Sequence, residues 1–317
     1  MIPKFVISLD FELFWGVIES RSFNSYKTNV EGVWESVPKM LELFKKYNIG
    51  ATWATVGMLM CKDFKEWSSF KSNNYPNYKN IKINPYNLGQ LVKNNEKLFF
   101  AKDLVKKIID YDNQEIASHT FSHYYCKEDG SDIDSFNDDI SSSIEISSKL
   151  NINIKSIVFP RNQVNEKFFN ILKKNNIFIY RGNIDSFLYR NGHSVPYGII
   201  GRSLRLADSI FPISKSLISN PAINNSLINV PASLFLRPYN KNFKTFELKK
   251  INRIKKVMLD AAINQKVFHL WWHPHNFGIN FDENFYILEE VLKYYNFLNS
   301  NYGMESFTMQ SFKDLRL

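Results

Sequence analysis

Short apolar runs alternate with amphipathic segments along almost the whole chain, and this alternation constrains the fold more than any other feature. Residues 4–10, 50–57, 115–119, 156–160, 177–181, 228–231, 267–273 and 307–309 read as strands. Residues 30–47, 98–111, 133–150, 166–175, 248–263 and 283–298 carry apolar positions at helical spacing, as in Val33, Val37, Met40, Leu41 and Phe44. Strands alternating with helices imply parallel β/α units. About seven such units predict a closed or nearly closed barrel, with an open doubly wound sheet as the alternative. No Gly-x-Gly-x-x-Gly follows the first strand, so a dinucleotide-binding sheet lacks its fingerprint.

Two stretches interrupt the alternation, at about 68–97 and 184–229, and the second is predicted to hold a helix over 201–219. No repeat and no Ser/Gly or Pro linker divides the chain, so residues 1–317 are expected to form one domain. Hydrophobic residues make up 44% and supply a large core, which excludes wholesale disorder. The only cysteines, Cys61 and Cys126, exclude a disulfide framework and a four-thiolate zinc site. The first apolar run is broken by Asp10 and Glu12, too early for a secretion leader, and no run reaches the ~18 residues of a spanning helix. The expectation is a soluble, cytoplasmic protein. A net charge of +9 fits a lysine-rich surface, an anionic substrate or peripheral contact with a membrane. Without a basic stripe, an RNP motif or zinc-finger spacing, nucleic acid is not an expected partner.

Four clusters carry chemistry. Asp10 and Glu12 sit two apart at a strand's C-terminal end, so period two points both carboxylates to one side. His119 and His123 follow a strand and lie four apart, a spacing that lets both imidazoles of a helical turn reach one metal ion. Arg161 directly follows a strand and could orient a carboxylate and keep it ionised. In the run 267–275, His269, Trp271 and His273 share one face; His269 lies deep, as a hydrogen-bonded core histidine, and His273 reaches the rim.

These clusters resemble, in order, the motifs of the polysaccharide deacetylases, the NodB-homology superfamily of carbohydrate esterase family 4. Asp10-Phe11-Glu12 resembles the first motif, with a second acid two positions on. His119 to His123 is similar to the metal motif, and residues 51–57 to the second-strand signature. Pro160-Arg161 resembles the arginine motif and His273-Pro274 the late histidine motif. The resemblance spans essentially the whole chain and implies a single-domain distorted (β/α)7 barrel with long loop insertions.

It also implies metal-dependent hydrolysis of an N-acyl group, most simply N-acetyl, on a sugar. Glu12, His119 and His123 would hold a divalent ion, zinc by preference, with cobalt, nickel or manganese as alternatives. Asp10 would be the general base, oriented by Arg161, and His273 the general acid. The exchanged assignment, Asp10 on the metal, stays open. Asn162, Trp272 and His275 are assigned to substrate contacts. Asn162 and Gln163 stand where the family has Pro and Tyr, which leaves the oxyanion donor open. The expected substrate is a nucleotide- or lipid-linked glycan precursor, bearing phosphate, in surface-polysaccharide biosynthesis. The alternatives are a sugar deformylase or cyclic-amide hydrolase of the superfamily, a glycosidase using Asp10 and Glu12, and a non-catalytic sugar-binding barrel with Tyr75, Tyr78 and Tyr86 as stacking platforms.

Overall fold

The computed structural model describes residues 2–70, 74–189, 199–214 and 216–314. Residues 71–73 of the first interruption, and 190–198 and 215 of the second, lie outside them. The strands are β1 (Lys4–Phe11), β2 (Ala51–Thr55), β3 (Gln114–Ser118), β4 (Ser156–Val158), β5 (Ile179–Arg181), β6 (Ala222–Asn224), β7 (Leu227–Asn229), β8 (Leu234–Phe235), β9 (Val267–Trp272) and β10 (Glu305–Phe307). They form one curled sheet in the order β6-β7-β5-β4-β3-β2-β1-β9-β8, and all pairs but the β6–β7 hairpin are parallel. β10 shares an edge of β1 with β2, pairing along Lys4–Val6 while β2 pairs along Ile7–Phe11.

One segment brings the two ends of the sheet together. Val230 N and Ala232 N donate to Tyr180 O and Gly182 O beside β5, and Ser233 N and Leu236 N donate to His269 O and Trp271 O of β9. β7 and β8 thus act as a single strand split between two neighbours, giving the distorted seven-unit barrel expected from the sequence. Alternate residues then face opposite ways. Phe5, Ile7, Leu9 and Phe11 join the main core with residues of the helices Val33–Lys46 and Phe281–Tyr302. Val6, Ala54, Ala117, Val158, Ile179, Val230 and Val267 form a smaller cluster, to which Met309 and Phe312 of the C-terminal segment are added.

Departures from the sequence reading have local causes. The helix expected over 201–219 runs instead over Ile199–Ile210, because Pro212 cannot continue it. The hairpin β6–β7, read only as one strand, turns on Asn225 and Ser226 with φ of 48° and 66°, values suited to a two-residue turn. In the first insertion Tyr78 is buried and its hydroxyl oxygen accepts from Tyr125 N, and Tyr86 packs between Tyr75 and Trp67. Tyr75 packs on Tyr86 and stays partly exposed, whereas Tyr78 is buried against Tyr124 and Tyr125 and offers no face to a sugar.

Candidate active site

The C-terminal ends of the parallel strands converge on a cavity of about 640 Å³. β1 brings Ser8 and Asp10 inward. β5 ends in Arg181, whose fully buried guanidinium grips Asp10 with two bonds, Nη1 to Oδ1 at 2.6 Å and Nη2 to Oδ2 at 2.8 Å. Ser8 Oγ accepts a third bond at 2.9 Å, and Asn162 Oδ1 accepts from Nε and Nη2 at 3.1 and 2.8 Å. The indole of Trp271 covers the guanidinium, 4.5 Å from its carbon. Burial pushes the Asp10 carboxyl up, but the charge and hydrogen bonds of Arg181, with His119 and His273 nearby, outweigh it and hold Asp10 below the usual carboxylate range. Asp10 is therefore an ionised carboxylate at neutral pH.

Arg161, expected on Asp10, is elsewhere. Arg161 and Asn162 both have left-handed φ, 54° and 52°, and this turn sends the Arg161 side chain outward. It pairs with Glu19 and Glu128 and is 38% exposed. Arg181 supplies the orienting guanidinium instead. Its only trace in the sequence is a charged residue closing the apolar run 177–181.

Glu12, His119 and His123 are all buried, and their candidate ligand atoms lie within 4.8 Å of one another. Glu12 Oε2 is 3.4 Å from His119 Nε2 and 3.2 Å from His123 Nε2. His119 Nδ1 lies 2.8 Å from Val158 O; a carbonyl only accepts, so Nδ1 carries the proton and Nε2 presents its lone pair. That Nε2 has no hydrogen-bond partner although it is buried. A buried lone pair aimed at a carboxylate and a second imidazole fits a divalent cation, and the His/His/carboxylate set suits zinc. Burial pushes the Glu12 carboxyl up, but His273, His119 and His123 hold it well below its ordinary range; burial pushes His123 down. Both directions favour the deprotonated ligand forms.

The two histidines do not share a helical turn. Residues 119–123 form a bent loop in which Thr120 and His123 take φ of 62° and 57°. Asp139, on the helix Ile133–Ser148, holds the loop in place by accepting from Phe121 N at 2.6 Å, Ser122 N at 3.0 Å and the Ser122 hydroxyl. Burial pushes the Asp139 carboxyl up to about 6 despite those bonds. Glu12 packs against Gly16, where any Cβ would overlap its carboxylate.

His273 lies at the mouth, its Nε2 3.8 Å from Asp10 Oδ2 and 3.6 Å from Glu12 Oε1; its side chain is 24% exposed, against 5% or less for the carboxylates and for His119 and His123. Of the clustered groups it is the one a substrate reaches most readily. His275 stacks on it, with ring centroids 4.9 Å apart, and lines the cavity along with Asn162. Trp272, expected at the substrate, faces the other way. It is fully buried against Phe44 and Phe277, because strand alternation sends Trp271 and His273 inward and Trp272 out. Trp271 lines the cavity in its place.

His269 sits below this layer, fully buried, with Nε2 2.8 Å from Ser8 Oγ. Burial, reinforced by the Arg181 charge, pushes its imidazole down from 6.5 to about 3. The folded protein thus keeps His269 neutral where the unfolded chain takes up a proton, so its contribution is intact above pH 6.5 and lost as pH falls toward 3. Urea denaturation of metal-free protein is expected to show a slope of stability against pH between 4 and 6 that His269→Gln reduces by about 1.4 kcal/mol per pH unit.

A family model, Polysaccharide deacetylase, matches residues 31–179. The span contains His119 and His123, whereas Asp10, Glu12, Arg181 and His273 lie outside it and join the site through the fold. A putative polysaccharide deacetylase from Mycobacterium smegmatis superposes with a TM-score of 0.60 at 12% identity, covering 98% of this chain and 88% of its own. A probable polysaccharide deacetylase from Pseudomonas aeruginosa PAO1 gives 0.56 at 11%, covering 97% and 88%. The PuuE allantoinase gives 0.55 at 12%, covering 97% and 87%. At these identities the likeness is one of fold. No curated protein gives a significant sequence match.

Proposed function

We propose that this chain, whose residues 31–179 carry a polysaccharide deacetylase domain, removes the acetyl group from an N-acetylated sugar in a metal-dependent hydrolysis. The observation that supports this reading most directly is the pairing of an arginine-gripped, ionised Asp10 with a buried Glu12–His119–His123 set in one cavity. Glu12, His119 and His123 would hold a divalent ion, zinc fitting the set best, and the bound ion would supply Lewis acidity toward the amide carbonyl and the attacking water. Asp10 takes the proton of the attacking water, and Arg181 fixes its two oxygens and keeps it charged between turnovers. Protonated His273 donates to the departing nitrogen, which is a poor leaving group as an anion. Trp271 and Phe235 form an apolar wall beside His273 that limits water. Asn162 holds the other edge of Arg181, so its contribution is to positioning. No helix among the described residues is long and apolar enough to cross a membrane.

The preferred substrate is a nucleotide- or lipid-linked precursor of a surface polysaccharide, which the positive charge of the chain favours. Zinc-loaded protein is expected to release acetate from an N-acetylhexosamine panel, with less from the N-formyl analogues. Formate release in excess would favour a deformylase. No acid released from any sugar by folded, metal-loaded protein would overturn the reading.

A further inference from the structure

We propose that Arg205 and Arg237 form a subsite for the phosphate or diphosphate group of the substrate. The inference deepens the N-acyl sugar reading and depends on it only for the remainder of the ligand. Both side chains line the same cavity as Asp10 and Glu12. Arg237 follows β8 two residues after Phe235, so period two carries both to the cavity side, and its guanidinium carbon lies 5.9 Å from the Phe235 ring. Arg205 projects from the helix Ile199–Ile210, with one long bond from Nη1 to Leu188 O at 3.4 Å.

What marks the pair is missing countercharge. Among the described residues, Arg237 makes no ion pair and no hydrogen bond to an acid. Asp208, a neighbouring carboxylate of Arg237, is already occupied. It accepts from Ser214 N at 2.7 Å, Ile213 N at 2.9 Å and the Tyr189 hydroxyl at 2.8 Å, and lies 3.6 Å from Arg253. Burial, with the like charge of Arg205, pushes the Arg237 guanidinium down against the pull of Tyr189 and Asp208. Two half-buried guanidinia that repel one another on a cavity wall are unfavourable without an anion between them. Arg21 lines the same cavity and adds to its positive charge. A single carboxylate brings one negative charge against two; a phosphate dianion or a diphosphate balances both, and its oxygens suit the paired N–H groups of each guanidinium.

Two measurements test the subsite. The first is calorimetric binding of a hexose 1-phosphate that lacks the N-acyl group. Wild type is expected to bind it, Arg205→Gln/Arg237→Gln to weaken binding by about 30-fold or more, and Arg237→Lys to fall between, all with unchanged melting temperatures. The second is the ratio of kcat/KM for a phosphate-bearing N-acetylhexosamine to that for the free sugar. It is run with a nucleoside-diphosphate sugar and with a short polyprenyl-diphosphate sugar, and the better of the two identifies the source of the phosphate. The ratio is expected to exceed about 30 in wild type for at least one of them and to collapse toward one in the double variant, through KM. Equal binding of the hexose phosphate by wild type and double variant, or a ratio near one in wild type, overturns the subsite. Arginine-dependent phosphate binding without acyl release from any sugar retains the subsite and removes the deacetylase reading.

Discussion

Replacing His119 and His123 together by alanine is expected to strip the protein of metal and lower acetate release by about a thousandfold or more, the several kcal/mol that a bound ion contributes at a polarised carbonyl. Elemental mass spectrometry should find about one equivalent of divalent metal in wild type and none in the variant. The variant loses the His119 Nδ1–Val158 O bond and the His123 contact with Glu12, but the fold should survive because Asp139 holds the loop from outside. Far-UV circular dichroism should therefore match wild type. Glu12→Gln is the companion variant. It removes the ligand charge but keeps the volume against Gly16, so it should lose metal affinity without disturbing the wall. Wild type that takes up no zinc, cobalt, nickel or manganese would refute the proposed centre.

Much of this site was legible in the sequence because strand ends are legible. Asp10 and Glu12 interrupt an apolar stretch and His273 closes one, and period two alone assigns Asp10 and Glu12 to one side. The same parity places Trp271 with His273 and Trp272 on the opposite face. The two arginines are a different matter. Both Arg161 and Arg181 stand at the close of a short apolar run, and only backbone conformation separates them. Left-handed φ at Arg161 and Asn162 turns one outward, while extended β5 carries the other in. Positive φ at non-glycine residues has no reliable sequence signal. That is also why His119 and His123 looked helical although a bent loop brings them together. The division of the closing strand was hidden for a related reason: β7 and β8 pair with different neighbours, so the strand reads as fragments.

The contrast between those arginines gives the other large effect. Arg181→Met removes the guanidinium that grips Asp10 and leaves this buried carboxylate desolvated and without the two hydrogen bonds that Arg181 donates to it. Breaking one side of a buried pair costs about 3–5 kcal/mol, so the urea midpoint should fall sharply. Turnover should fall by about a hundredfold or more, because without Arg181 burial pushes the Asp10 carboxyl up and nothing fixes its two oxygens, so it accepts a proton from water less readily. Arg161→Ala, by comparison, breaks only partly exposed pairs with Glu19 and Glu128, and should change stability by less than about 1 kcal/mol. Loss of stability and loss of catalysis separate in the double variant Asp10→Asn/Arg181→Met. With both charges gone, no isolated ion is buried, so much of the stability should return. Activity should not return, because an amide cannot take the proton. Recovery of stability without turnover would tie Arg181 to the ionised state of Asp10. Equal turnover in Arg181→Met and wild type would mean that the grip on Asp10 serves the fold alone.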